Sequence, residues 1–407
     1  MIYTRIIGRI GVLSIVAMLL ASSWACAANH FALATTASSL YLLQTESKWG
    51  TNSYISLGNP GDSSSRLAGV ATSGKYAFVV DAGKNQLYVG TVTDALGAPA
   101  FNVLSTVPVA DGATSVAVGS DGGVYVVGNQ AYSYITATDW ATPTVQTVSV
   151  PGVLIAGVAG LSAGDKAAII NQLVSEPSNP GQSYTALLDG ASSSTPKSLE
   201  VGCGSPISVA VDPSFGDLGY AYIANRTSSG INDVGSLRIY NPATNGFAGT
   251  AIVLSIDNEA YQMVPDAIST FFDDTGRYIG IVGTVNGEAQ QAWKIAINGG
   301  DVSLAGANRT ALTGADLSTA RRTSTSDDGE VYWITGGKTG RVYAWNTKTW
   351  TSLDAFSAVL GDSAIVSYVS SYKPEIIPPV IIPEPSSVVA LATLAAGALG
   401  LIRRRKK

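Results

Sequence analysis

The body of the chain repeats one pattern of apolar segments and polar turns. A short apolar segment leads through a turn rich in Ser, Asp and Gly into a strand rich in tyrosine and β-branched residues. A second turn and a third strand follow. The clearest copy occupies residues 69–71, 76–81 and 85–90. Alternation over such short segments, with Gly and Asp at the breaks, predicts antiparallel strands joined by tight turns.

The copies recur at a spacing that is typical of one architecture. The points that we take as equivalent are Val70, Val116, Val158, Val209, Ile268 and Thr323, which lie 46, 42, 51, 59 and 55 residues apart. A period of roughly 40 to 60 residues with three or four short strands in each copy is typical of a β-propeller. We therefore predict an all-β fold in which each copy is one blade.

Segments at both ends of the body remain after six copies have been assigned to residues 66–353. Strand-like pieces lie at 39–44, 53–57 and 364–369. Two outer strands from the N-terminus and inner strands from the C-terminus would complete a composite closing blade, which removes open sheet edges. The sequence thus favours seven blades, with six as the alternative.

The repeat resembles a known group of propellers. Val116-Ala117-Val118, the turn at Asp121-Gly122 and the strand 124–127 are similar to the YVTN-type and lactonase-like repeats. This resemblance covers about half of each copy and implies a fold more than an activity.

The C-terminus consists of a short polar motif, an apolar run at 388–402 and a basic cluster, in that order. A proline-rich spacer at 373–382 precedes these three parts. As a helix, the run would span roughly 22 Å, less than the roughly 30 Å hydrocarbon core of a bilayer. The cations after it are expected to stay on the cytoplasmic side. The polar parts are Pro383, Glu384 and Pro385 before the run, and Arg403, Arg404, Arg405, Lys406 and Lys407 after it.

The order of these parts resembles the PEP-CTERM sorting domain of Gram-negative bacteria. The resemblance implies that residues 383–407, with a transmembrane helix at 388–402, are recognised and removed by an exosortase-type enzyme. An ordinary single-span anchor is the alternative. Either interpretation implies export across the inner membrane to the cell envelope, the outer surface or the medium.

The N-terminus indicates a secretory leader at 1–27. Arg5 and Arg9 precede an apolar stretch, and Ala25 and Ala27 form an Ala-x-Ala cleavage site. Cleavage there would remove Cys26 and would leave the propeller domain to begin at residue 28 and to end at 372. The alternative is that Cys26 is lipidated.

The charge of the chain argues against nucleic acid as a partner. The leader and the terminal basic cluster hold seven of the 24 basic residues and no acidic residue, so the rest of the chain has 17 basic and 29 acidic residues. A body with a formal charge of −12 is repelled by phosphate backbones. We therefore expect no binding of nucleic acid.

The body offers few groups for catalysis. His30 is the only histidine and should be disordered next to the cleavage site, and Cys203 has no histidine partner, so we expect it to be buried and inert. The Asp-Gly stretches are predicted as turns and not as calcium loops. The carboxylates that could lie at an axial mouth are Asp81, Asp121, Asp212, Asp266 and Asp328.

Aromatic side chains suggest a second kind of site. Tyrosines that recur at one strand position are expected to fill the core between blades. The tryptophans outside that position could stack on sugar rings, and they are Trp49, Trp140, Trp293 and Trp350.

These observations predict a non-enzymatic, exported propeller scaffold for adhesion or ligand binding, with no cofactor, catalytic residue or metal ion. Its partners would be the secretion machinery, an exosortase-type enzyme, and extracellular polysaccharide or surface proteins. The alternative is a secreted, lactonase-like propeller hydrolase that uses axial carboxylates and a divalent metal ion.

Overall fold

The structure is a computed structural model, and its β-strands extend from residue 30 to residue 372. The described residues are 30–45, 53–93, 98–161, 168–174, 183–193, 197–198, 205–212, 218–229, 232–256, 261–273, 276–286, 289–298, 301–302, 309–311, 320–325, 331–336, 342–346, 349–352 and 366–373. They contain no helix that is long and apolar enough to cross a membrane. The chain divides into units 1–375 and 376–407, and every strand belongs to the first.

The predicted terminal signals lie outside the described residues. This holds for the leader with Ala25 and Ala27, for the helix predicted at 388–402, and for the two polar parts of the tail: Pro383, Glu384, Pro385, Arg403, Arg404 and Arg405. Their roles therefore stay predictions.

Within the described residues, thirty strands form six sheets with antiparallel pairing, which confirms an all-β propeller. The closing sheet contains β1 (His30–Thr36), β2 (Leu40–Thr45), β3 (Ser53–Gly58) and β30 (Val366–Tyr372). Sheet 1 contains β4 (Leu67–Ser73), β5 (Tyr76–Asp81), β6 (Gln86–Thr93) and β7 (Ala100–Pro108). Sheet 2 contains β8 (Ser115–Val118), β9 (Val124–Val127), β10 (Asn129–Thr136), β11 (Thr144–Gly160), β12 (Ala168–Val174), β13 (Ser183–Asp189), β14 (Ser192–Ser193) and β15 (Lys197–Ser198).

The remaining strands form three sheets in the second half of the body. Sheet 3 contains β16 (Ser205–Asp212), β17 (Tyr220–Ser229), β18 (Asn232–Asn241) and β19 (Gly246–Val253). Sheet 4 contains β20 (Ser255–Ile256), β21 (Tyr261–Asp273), β22 (Gly276–Val285), β23 (Ala289–Asn298), β24 (Asp301–Val302) and β25 (Arg309–Ala311). Sheet 5 contains β26 (Ala320–Thr325), β27 (Val331–Gly336), β28 (Val342–Asn346) and β29 (Thr349–Ser352).

The prediction of seven separate blades was wrong, because hydrogen bonding leaves five single-blade sheets and one continuous eight-stranded sheet. The cause is β11, which is 17 residues long. Its residues 144–149 pair with β10 as an outer strand, and its residues 153–160 pair with β12 as an inner strand. Because the strand passes directly from one repeat to the next, no break separates the two repeats in sheet 2.

The innermost strands surround a common axis. Each contacts the next in the order β4, β8, β11, β16, β21, β26 and β30, and β30 contacts β4 again. Hydrogen bonds show that β16 and β21 run in the same direction. Ile268 of β21 binds Ser208 of β16, and further along both strands Thr270 binds Val211. The strands β16 and β21 therefore begin at the same mouth of the ring.

The ring closes through strands from both ends of the body. Among the described residues, three strands from the N-terminus and β30 from the C-terminus form the closing sheet, with β1 paired to both β2 and β30. The expected division was two N-terminal outer strands with several C-terminal inner ones. His30 was expected to be disordered, but it is buried at the start of β1, where pairing with Thr45 holds the backbone.

Large aromatic side chains pack inside and between the sheets. Tyr125 and Tyr222 are completely buried, as predicted for the repeated tyrosine. Trp293 is also core, and Trp140 packs its ring 4.8 Å from that of Phe78. These two tryptophans thus stabilise the fold. Trp49 lies outside the described residues, and of Trp350 only the backbone is described.

Candidate functional site

A cavity of about 340 Å³ lies on the axis of the ring. Pockets for small ligands typically have about 300 to 1,000 Å³, so this volume suits a small molecule. Each innermost strand contributes to the wall. The lining residues are Val70, Ser115, Val116, Gly157, Val158, Ile207, Ser208, Val209, Ala210, Asp266, Ala267, Ile268, Ser269, Thr270, Thr323, Ser324, Thr325 and Val369.

Most of the apolar part of this wall comes from one position of the repeat. All six residues that the sequence pattern marks as equivalent line the cavity, and Val369 of β30 joins them. Because the innermost strands are parallel neighbours around the axis, equivalent residues lie side by side. The repeat register therefore produces a ring of mainly β-branched side chains.

Hydroxyl groups join the innermost strands across the seams between sheets. Ser208 Oγ accepts the N–H of Ile268 at 3.3 Å, and the Thr270 hydroxyl donates to the Val211 carbonyl at 2.8 Å. The hydroxyls of Ser269 and Thr323 lie 2.8 Å apart. A hydroxyl carries one donor and two acceptor sites, so Ser208 can still donate its own proton while it accepts from Ile268.

Asp266 is the acidic side chain among the described lining residues. It lies at a β-bulge, since the pairing of β21 with β22 passes directly from Pro265 to Ala267. A bulge bends the strand and turns a side chain away from the regular alternation. The Asp266 carboxylate accepts a hydrogen bond from Gln290 Nε2 at 2.8 Å.

Gln290 connects this carboxylate to β23 of sheet 4. The residue is only 7% exposed, and Nε2 also donates to Thr284 Oγ1 at 2.8 Å. Gly283 is the residue of β22 that pairs with Pro265 beside the bulge. A Cβ added at Gly283 would collide with the Val264 carbonyl oxygen, so glycine allows the inner strand to approach closely.

Two other predicted carboxylates serve local turns. The backbone N–H groups of Arg66 and Gly83 donate to Asp81 Oδ1 at 2.8 and 2.9 Å, and the Tyr88 hydroxyl donates to Oδ2 at 3.1 Å. Burial alone would raise the pKa of Asp81, but these hydrogen bonds together with that of Ser65 lower it.

Asp121 confirms the prediction of a turn. Its Oδ1 accepts the N–H of Gly123 at 2.9 Å, and Gly122 has a φ of 78°. Oδ2 accepts the Tyr134 hydroxyl at 2.9 Å, and burial together with this bond raises the pKa of Tyr134 to about 12. The Asp-Gly stretch is therefore part of a structural network.

The remaining candidate residues are Asp212, Asp328 and Cys203. Asp212 forms a buried ion pair with Arg277, whose Nη2 lies 2.6 Å from Oδ1. Asp328 and Cys203 lie outside the described residues. In the part of the chain that the structure describes, no three His, Cys, Asp or Glu side chains converge as a metal site would require.

Sequence reasoning therefore selected Asp266 only as one of five equal candidates, and it missed Gln290, Thr284 and Ser208. No local motif marks these three residues. Their proximity to the carboxylate arises from strand pairing and from the bulge.

The fold is shared with proteins of known structure. No protein-family profile matches the chain, and no curated protein matches it in sequence. The periplasmic gluconolactonase of Pseudomonas aeruginosa is 12% identical with a TM-score of 0.58, over 84% of this chain and 99% of that one. A protein of Lactobacillus plantarum is 14% identical with a TM-score of 0.57, over 84% and 99%. A provisionally named 6-phosphogluconolactonase of Bacteroides fragilis is 10% identical with a TM-score of 0.56, over 84% and 98%.

These similarities correct one expectation and leave others untested. The prediction that the chain is not an enzyme is contradicted by its structural neighbours, since structures that share its fold over almost their whole length are named, two of them provisionally, as lactonases. Identities of 10 to 14% establish the fold, and the lactonase-like propeller resemblance is confirmed at that level. The sorting tail is not tested by them.

Proposed function

We propose that the protein is an exported, lactonase-like hydrolase whose reaction takes place in the axial cavity. The observation that carries the proposal is Asp266, a carboxylate that a bulge places in the cavity wall and that Gln290 holds by a hydrogen bond. The similarity to propellers named as lactonases supports the same reaction class.

Asp266 would act as the general base. The carboxylate accepts a proton from water, and the water oxygen bonds to the carbonyl carbon of a lactone. Negative charge then develops on the carbonyl oxygen, and a hydroxyl donor such as Ser208 would stabilise that charge. The ring C–O bond breaks, and protonated Asp266 returns its proton to the leaving oxygen. The product is the open hydroxy acid, and the carboxylate is restored.

The substitution Asp266→Asn tests this role because it retains the size and the hydrogen-bond acceptor of the side chain but cannot accept the proton. Loss of a general base typically costs about 10² to 10⁴ in rate, so we expect kcat for lactone hydrolysis to fall by about that factor. The assay is pH-stat titration of the acid released from glucono-δ-lactone and from other five- and six-membered lactones.

Asp139→Asn is the matched control, since Asp139 is exposed and its carboxylate accepts the N–H of Ala141 in a surface turn. It should retain wild-type kcat. Wild-type protein that hydrolyses none of these lactones, or an Asp266→Asn variant with unchanged kcat, would contradict the proposed function.

We also propose that the protein is sorted through its tail. Pro383, Glu384 and Pro385, the apolar run and the arginine cluster support recognition by an exosortase-type enzyme after export. Mass spectrometry of protein isolated from the native cells should find chains that begin at residue 28 and lack the residues after the Pro-Glu-Pro motif. Recovery of full-length tails from a strain with an active sorting system would refute this proposal.

A further inference from the structure

The wall of the axial cavity is divided into an apolar side and a polar side. The apolar side comes from five successive strands, β30, β4, β8, β11 and β16, and the polar side comes from β21 and β26. The apolar side carries the equivalent valines together with the hydroxyls of Ser115 and Ser208. The polar side carries Asp266 and five hydroxyl-bearing residues: Ser269, Thr270, Thr323, Ser324 and Thr325.

Three residues of the apolar side keep accessible surface in the cavity. Gly157 and Val158 of β11 and Ile207 of β16 are half-buried, and we call these three residues the apolar notch. The other equivalent valines have at most 9% of their surface exposed, and they are Val70, Val116, Val209 and Val369. A ligand in the cavity would therefore make its apolar contacts mainly at the notch.

Gly157 leaves open space in this part of the wall. Among the described residues, a Cβ added at Gly157 would meet one atom within 4 Å, the Ile207 carbonyl oxygen at 3.9 Å. Its φ lies outside the left-handed region, so neither crowding nor backbone conformation requires glycine here. Gly160 of the same strand differs, since a Cβ there would collide with the Val118 carbonyl oxygen. The space beside Gly157 is thus available to a ligand.

The apolar notch lies beside the candidate general base. Ser208 Oγ accepts the N–H of Ile268, so these two residues lie level on the neighbouring strands β16 and β21. Ile207 is therefore level with the bulge that carries Asp266, and Gly157 adjoins Ile207 on the other side. The strands β11, β16 and β21 thus present the notch and the carboxylate at the same end of the cavity.

We propose that the substrate is a lactone with a short alkyl substituent on its ring, and that the apolar notch binds this substituent. This inference rests on the proposed hydrolase function. The ester group would face Asp266 and the hydroxyls of the polar side, while the alkyl group would lie against Val158 and Ile207. Gly157 would determine specificity, because a side chain there would occupy the space of the alkyl group.

A series of lactones tests the proposal on the wild-type protein. Burial of one methylene group is worth about 0.8 kcal/mol, or about a fourfold change in kcat/KM. We expect kcat/KM to rise by about this factor for each carbon from δ-valerolactone, which has no substituent, to δ-octalactone, which has a propyl group. Glucono-δ-lactone should be a poorer substrate than δ-octalactone, because its hydroxyls would lie against the apolar notch. The assay is the pH-stat titration described above.

The substitution Gly157→Val fills the open space. Three buried carbons at about fourfold each give δ-octalactone an advantage of about 60-fold over δ-valerolactone, and the variant should lose most of it. Its kcat/KM for δ-valerolactone should stay at the wild-type value, which also shows that the variant is folded. Gly157→Ala should give an intermediate preference.

Gly246→Val is the matched control. Gly246 begins β19, the last strand of sheet 3, and a Cβ there would meet Thr244 Oγ1 at 3.5 Å, an ordinary contact. Because Gly246 is not a residue of the cavity wall, the variant should keep the wild-type preference for δ-octalactone.

Binding of 3-propylcyclohexanone gives a readout that does not depend on activity, because this ring has the shape of δ-octalactone but cannot be hydrolysed. Calorimetry should show that the wild type binds it more tightly than cyclohexanone, and that Gly157→Val loses this difference. Lactone hydrolysis with no gain from the alkyl group, or an unchanged preference in Gly157→Val, would overturn the inference and leave the proposed function standing. Tight binding of 3-propylcyclohexanone without hydrolysis of any lactone would instead refute the proposed function and support the notch as an alkyl site.

Discussion

The ion pair between Asp212 and Arg277 should be a principal support of the ring. Asp212 ends β16 in sheet 3 with a side chain only 2% exposed, and Arg277 lies in β22 of sheet 4. Arg277 Nε lies 2.9 Å from Oδ2 and Nη2 lies 2.6 Å from Oδ1, so the contact is bidentate. The hydrogen bond to Asp212 raises the pKa of Arg277 against the opposing effect of burial. The pair therefore joins two sheets at a buried carboxylate.

The perturbation is Arg277→Met, which keeps an apolar stem but removes the guanidinium. Loss of one partner of a fully buried pair costs about 3–5 kcal/mol, because a buried charge is left uncompensated. The Arg277 side chain is 33% exposed, so water can reach part of the site and reduce that cost. We expect the free energy of unfolding to fall by about 2–3 kcal/mol.

Urea unfolding followed by tryptophan fluorescence measures this change. The double variant Asp212→Asn with Arg277→Met should be more stable than Arg277→Met alone, since no charge remains buried. Lys84→Met is the control, because Lys84 pairs with exposed Asp62 and its loss should change little. A free energy of unfolding for Arg277→Met within 0.5 kcal/mol of the wild type, where 0.5 kcal/mol is about the scatter of a surface substitution, would refute the reasoning.

Two further predictions concern pH and closure of the ring. Because the pKa of Asp81 is lowered in the folded state, its contribution to stability is present above the unfolded value of about 4 and is lost as the pH falls further. Urea midpoints measured between pH 7 and pH 2.5 should therefore depend less on pH in Asp81→Asn than in the wild type, and parallel curves would contradict this. The Tyr372 hydroxyl accepts the Val92 N–H at 2.9 Å and donates to the Lys75 carbonyl at 2.8 Å, so Tyr372→Phe should lower the free energy of unfolding by about 1–3 kcal/mol. An unchanged thermal midpoint for that variant would show that these bonds do not stabilise the closing sheet.

The position of Asp266 illustrates the limit of a sequence pattern. In the sequence pattern, Asp81, Asp121 and Asp212 follow short predicted strands and Asp266 precedes one, so the sequence does not distinguish them. Three of them accept bonds from turns or from Arg277, whereas Asp266 lines the cavity. The difference comes from a single bulge, whose place depends on pairing between two strands.

The sequence by itself determined the repeat, with many of its strands and turns. Alternation and turn chemistry act over a few residues, so the repeat marked Val70, Val116 and Ile268 as equivalent positions, and the structure then placed them in the wall of the axial cavity. Tertiary structure alone decided that β11 joins two repeats, that His30 is buried, and that Gln290 meets Asp266. These features depend on pairing between distant segments, where register and bulges are set by packing across the whole sheet and not by the local pattern.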